Sequence, residues 1–116
     1  MMFELSVIQK AYDLIKWYVP IINRMPRGYK FTLGDRLQMN LLNLLEHLVR
    51  AKQKEDRVAE LESANVVLEM IRHLTRLAFD FGMMNMKRYE YISIQLDGVG
   101  VEIGSWLKAS RRKGKT

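Results

Sequence analysis

The sequence predicts an all-α fold, an antiparallel up-down four-helix bundle. Three long segments repeat apolar residues at intervals of three and four, the spacing of one helix face. The breaks between them are short, so successive helices should run antiparallel. Three such helices leave an apolar groove. A fourth helix of equal length fills it, whereas a two-stranded hairpin would leave both its edges exposed. A chain of 116 residues makes one domain. The expected layout is a bundle over 1–110, with helices near 3–24, 33–52, 57–81 and 86–110, and a basic C-terminal tail over 111–116.

In the first helix, Val7, Ala11, Leu14, Tyr18 and Ile21 form one stripe, widened by Ile8, Ile15 and Ile22. Pro20 lacks a backbone donor and is expected to kink the last turn. Pro26, Gly28 and the charges from Arg24 to Lys30 read as a loop. Thr32 then suits an N-cap, with Asp35 three positions on as a variant capping box. Leu33, Leu37, Leu41, Leu44 and Leu48 follow along one face, beside Leu42, Leu45 and Val49. After the polar break from Gln53 to Asp56, the third helix carries Leu61, Ala64, Leu68, Ile71, Thr75 and Ala78. Val67, Leu74, Leu77 and Phe81 flank that stripe. Gly82 suits a left-handed cap, and Asn85 an N-cap for the next helix.

The fourth segment, Tyr89 to Leu107, fits two periodicities. Ile92, Ile94 and Leu96, then Val99, Val101 and Ile103, alternate around Asp97-Gly98 as a hairpin would. Tyr89, Ile92, Leu96, Val99, Ile103 and Trp106 form a helical stripe. The groove left by three helices decides for the helix. Gly98, Gly100 and Gly104 then stand inside it, each costing about 1 kcal/mol against alanine. Gly100 and Gly104 share a face, which allows a close contact within the bundle or between subunits, with intrinsic strain as a third option.

The composition, 48% hydrophobic and 28% charged, is that of a globular chain. No apolar run approaches the roughly 20 residues that cross a bilayer, and no signal-peptide core opens the chain, so no membrane partner is expected. Cysteine is absent, which excludes disulfides and thiolate metal sites and makes a cytoplasmic location the default expectation. His47 and His73 are the two histidines, too few for a metal centre. Glu46, Glu69, Asp97 and Glu102 superficially resemble the carboxylates of di-iron bundles, but those need Glu-x-x-His pairs, and His73 falls one residue late after Glu69. No phosphate loop, nucleophile elbow or zinc spacing occurs. No catalytic residue, metal or cofactor is therefore expected.

The formal charge is +6 and the pI about 9.7, which biases a small domain toward polyanions. In an up-down bundle, one pole collects Arg24, Arg27, Lys30, Arg36, Arg72, Arg76, Lys87 and Arg88 against Asp35, Asp80 and Glu90. Lys87 and Arg88 stand at a helix N-terminus, where the dipole disfavours cations. Glu69 with Arg72, and Arg76 with Asp80, also suit ordinary pairs along one helix, so these two arginines read equally as a solvated face. Arg111, Arg112 and Lys113 form a solvated tail or a basic arm on nucleic acid. Tyr29, Phe31, Tyr89 and Tyr91 lie near the basic pole, as rim packing or as base-stacking groups. With no sequence-reading motif, binding would be backbone-directed and salt-sensitive. A structural oligomer whose charge serves solubility is the contrasting reading.

Several runs occur in order: Tyr18-Val-Pro-Ile, Met25-Pro-Arg27, Thr32-Leu-Gly-Asp-Arg36 and Ile103-Gly-Ser-Trp-Leu107, then Arg111-Arg112-Lys113. Together they resemble the accessory variability determinant (Avd) family of diversity-generating retroelements over nearly the whole chain. Gly104-Ser105-Trp106-Leu107 is the most specific run. The four-helix proteins encoded by ribosomal RNA intervening sequences look more distant, and an RNA-associated bundle of that type is the alternative. The resemblance implies four-helix protomers assembled as a homopentameric barrel. It also implies partners, a reverse transcriptase and template RNA or DNA, and support of mutagenic reverse transcription and retrohoming without catalysis by the protein itself. Arg72 and Arg76 match family positions and would contact partner or nucleic acid. Family members often carry arginine directly after the glycine matched by Gly100; here Val101 stands there, so the basic surface would be distributed differently.

Overall fold

In a computed structural model, which describes residues 2–114, the chain forms four long helices and no strand among those residues. Helix α1 spans Met2–Asn23 and runs through Pro20. Helix α2 has three parts: a single turn, Arg27–Tyr29, a π-helical stretch, Lys30–Gly34, and a regular body, Asp35–Gln53. Helix α3 spans Val58–Asp80 and α4 spans Met86–Gly114. Helix α1 packs on α2 and α4, and α3 packs on the same two, so α1 and α3 face each other across the core. The molecule measures 51 × 24 × 19 Å. No helix among the described residues is long and apolar enough to cross a membrane.

The stripes read from the sequence line the core. Val7, Ala11, Leu14 and Tyr18 are buried from α1; Leu37, Leu41, Leu44 and Leu48 from α2; Leu61, Ala64, Leu68 and Ile71 from α3. The helical stripe of the fourth segment is also the buried one: Ile92, Leu96, Val99, Ile103 and Trp106 face inward. Ile94 and Val101, which a hairpin would have paired with the inward set, are 66% and 69% exposed. Gly82 takes φ of +79° after α3, and Asn85 Oδ1 accepts from Arg88 N at 2.8 Å to cap α4.

Two boundaries depart from the sequence expectation. The second helix starts at Arg27, not near 33, and Thr32 is not its cap. Tyr29 N and Lys30 N already donate to Pro26 O, at 2.9 and 2.8 Å. Thr32 Oγ1 donates back to Gly28 O at 2.8 Å, the bond of a threonine inside a helix. Packing explains the extra turns. Leu33 and Gly34 are buried, and a Cβ at Gly34 would stand 3.0 Å from Ile22 Cγ2 and 3.3 Å from Met25 Sδ. Of the residues read as a loop, 24–26 do form the turn, whereas 27–30 are helical, held by the contact of Gly34 with the end of α1. The fourth helix runs past 110 to Gly114, so Arg111, Arg112 and Lys113 are helical rather than a free tail. Cations in a last turn favour the helix dipole, and Arg111 Nη2 bonds Glu62 Oε2 on α3 at 2.8 Å. Lys115 and Thr116 lie outside the described residues.

Candidate nucleic-acid interface

The α1–α2 and α3–α4 connections meet at one pole, where the Tyr29 and Phe81 rings pack with centroids 5.5 Å apart. Met25 and Met84, one in each connection, are buried beneath it. Arg24 and Arg27 stand where α1 hands over to α2, and Lys30 and Arg36 on the first turns of α2. Arg76 is on the last turns of α3, and Lys87 and Arg88 on the first turn of α4, which holds no acid.

Ion pairing separates these cations. Among the described residues, Arg24, Arg36, Lys87 and Arg88 make no ion pair within hydrogen-bonding reach. Arg27 and Lys30 both lean on the Phe31 ring, each 5.7 Å from its centroid. Arg76 Nε reaches Asp80 Oδ2 at 3.8 Å, an exposed contact worth little.

Arg72 is different. It lies two turns inside α3, and its guanidinium is bound by Asp97 of α4, with the Leu96 carbonyl at 3.5 Å. The pairing expected along the helix, with Glu69, is the longer one at 4.0 Å. Gly100 makes room for it: a Cβ there would come within 2.9 Å of Arg72 Nη2. The close approach at Gly100 is therefore between α4 and an arginine side chain within the bundle. Gly98 and Gly104 face open space.

The structure also splits the basic residues between two ends. Phe79–Tyr89, Arg72–Asp97 and Glu62–Arg111 are successive rungs of the antiparallel α3–α4 pair. Arg111, Arg112 and Lys113 thus lie at the far pole, roughly 35 Å along α4 from Arg88 at 1.5 Å per residue. There Arg111 is paired, and Lys113 also has a partner.

Sequence reasoning missed two polar clusters, because neither partner spacing lies within one helix. At the far pole, Glu60 accepts from Lys54 at 2.7 Å and pairs with His47 at 2.8 Å. The Lys54 and His47 hydrogen bonds push its carboxyl down to about 2. Between α1 and α4, Lys10 bonds Glu102 at 2.8 Å. Burial alone raises the Glu102 carboxyl, but hydrogen bonds from Lys10 and Ser6 and the Lys10 charge outweigh it and hold it below the ordinary range. The four carboxylates that superficially suggested a metal each have a side-chain partner of their own: Glu46 with Arg50, Glu69 with His73, Asp97 with Arg72 and Glu102 with Lys10. No metal-binding group of three or more ligands forms among the described residues.

A family model described as bAvd-like matches the chain over residues 5–110. No curated protein matches it.

Proposed function

Because the chain belongs to the bAvd-like family, we propose that it is a nonenzymatic accessory protein of a diversity-generating retroelement. In this reading it binds the element's reverse transcriptase and its template RNA or DNA, and supports mutagenic reverse transcription and retrohoming. The observation that carries the nucleic-acid part is the pole with Arg24, Arg36, Lys87 and Arg88 outside any ion pair among the described residues. These cations suit a phosphate backbone, which they meet without first breaking an ion pair, and two of them, Lys87 and Arg88, are kept where the α4 dipole opposes them. Arg72 and Arg111 are engaged by Asp97 and Glu62, so a contact of either with nucleic acid would first release that carboxylate.

The homopentamer is part of the same reading. Leu5 and Tyr12 of α1, and Leu42 and Val49 of α2, are exposed on the flanks that carry the half-buried Ile8, Ile15 and Leu45. The opposite flanks are occupied: Lys10 and Trp17 meet α4, and His47 meets α3. An apolar strip along the α1–α2 seam, bordered by Lys16 over the Tyr12 ring, supports self-association.

The test mixes the protein with the element's reverse transcriptase and template RNA at low salt, followed by size-exclusion chromatography with mass detection. A co-eluting complex containing a pentamer is expected. Absence of a complex with both partners would overturn the reading.

A further inference from the structure

We propose that the basic pole binds single-stranded nucleic acid by stacking unpaired bases on Phe31 and on the Tyr29–Phe81 pair. This rests on the nucleic-acid reading above and adds the form of the ligand and the groups that select it. Phe31 is 58% exposed, Phe81 52% and Tyr29 36%. All three belong to the connections and first turns that carry the unpaired cations. Of the other aromatics near the pole, Tyr89 stacks on Phe79 with centroids 4.5 Å apart, and Tyr91, 50% exposed, lies farther along α4 against Trp17. Phe31 is the outlying ring. Among the described residues no other aromatic pairs with it, and Arg27 and Lys30 border it.

The occupant follows from what the surface offers. Planar π-faces sit among cations, with Asp35, Asp80 and Glu90 as the nearby acids and Asp80 turned toward Arg76. A duplex keeps its bases stacked on each other and would use the cations alone. An acidic peptide would use the charge and leave the rings bare. A single strand supplies both a phosphate chain and free base faces, each of which gains by stacking on an aromatic ring. Tyr29 and Phe31 are two residues apart on a helical turn, so their rings face different sides of the pole. A strand crossing the pole meets two stacking positions, with Lys30 between them in the chain.

Fluorescence anisotropy with the full chain would compare three probes of one length: a mixed-sequence single-stranded RNA, the same RNA annealed to its complement, and an abasic phosphodiester oligomer. The single strand is expected to bind most tightly. Phe31→Leu and Phe81→Leu should each weaken it by about 5- to 150-fold while leaving the abasic oligomer unchanged. Phe31→Trp should retain affinity, and its fluorescence should be quenched by the single strand but not by the abasic oligomer; that readout needs no leucine variant to fold. Equal affinity for all three probes, or no quenching at Trp in place of Phe31, would overturn the stacking proposal and leave the nucleic-acid reading standing. Binding to none of the three would overturn both.

Discussion

The Tyr18 hydroxyl stands 2.6 Å from Thr75 Oγ1 and joins the diagonal helices α1 and α3 through the centre of the core. Thr75 Oγ1 donates to the Ile71 carbonyl at 2.7 Å, so its single proton is committed and Tyr18 is the donor. Both side chains are buried. Removing the acceptor by Thr75→Val leaves a buried phenol unpaired and should cost about 1–3 kcal/mol. Tyr18→Phe should cost about 1 kcal/mol, and adding Thr75→Val to it little more. Urea titration of the four proteins measures the coupling. Burial raises the Tyr18 phenol above its ordinary range. A group raised on folding stabilises below its unfolded value, so this contribution should fall as pH rises above about 10.

The acid side of the profile belongs to Glu60. Its folded value, about 2, lies below the unfolded glutamate value of about 4.3. A depressed carboxylate stabilises above the unfolded value and loses that contribution as pH falls through the folded one. The stability difference between the wild type and Glu60→Gln should therefore be largest near neutrality and shrink between about pH 4.3 and 2. Urea midpoints at pH 7, 4 and 2.5 check it.

The three glycines of α4 should answer differently to alanine. Gly98 and Gly104 have nothing within 4 Å of the added Cβ. Each replacement should stabilise the separated protomer by about 0.5–1 kcal/mol, the helix-interior difference between the two residues. A loss of assembly in Gly104→Ala, with the protomer intact, would place Gly104 in a subunit contact. Gly100→Ala must shift the Arg72 guanidinium, which loosens its contacts with Asp97 and Leu96, offsets the helix gain and should leave stability nearly unchanged. Loss of the Arg72 side-chain NH protection in hydrogen-exchange NMR would mark the displacement.

Lys87 and Arg88 should trade stability against binding. Replacing each by glutamine removes a cation from the first turn of α4 and should stabilise the protein by about 0.3–1 kcal/mol. The same changes should weaken RNA binding and flatten its salt dependence by about 0.7 log units per lost single-strand phosphate contact. Arg112→Gln, at the far pole, should leave that slope intact. Thermal melts and salt titrations separate the two effects.

The helices were legible because each keeps its apolar stripe in phase for about 20 residues. Gly82 and Asn85 were legible because each acts on its own neighbours. The start of α2 was not, since Thr32 and Asp35 reproduce the spacing of a capping box while contact with Ile22 and Met25 keeps that stretch helical. Arg72 shows the same limit at the candidate site. Spacing rules within one helix suggest Glu69 as its partner, whereas Asp97 reaches it only through the register of α3 on α4. The basic pole was visible from topology alone; which of its cations are unpaired depends on side-chain positions that topology does not fix.

The wider winding of Lys30–Gly34 has a consequence for how such an end can vary. A π-helical stretch holds one residue beyond what regular winding would take, and acts as a phase shifter of about 100° between the turn before it and the body after it. In this phase Gly34 meets Ile22 while Tyr29 meets Phe81. Removing one residue between 30 and 34 would turn Arg27 and Tyr29 to new directions and leave the inward row from Leu37 to Leu48 in register. The chemistry of the tip and the packing of the shaft are thus separable along a single helix, with one inserted residue as the joint between them.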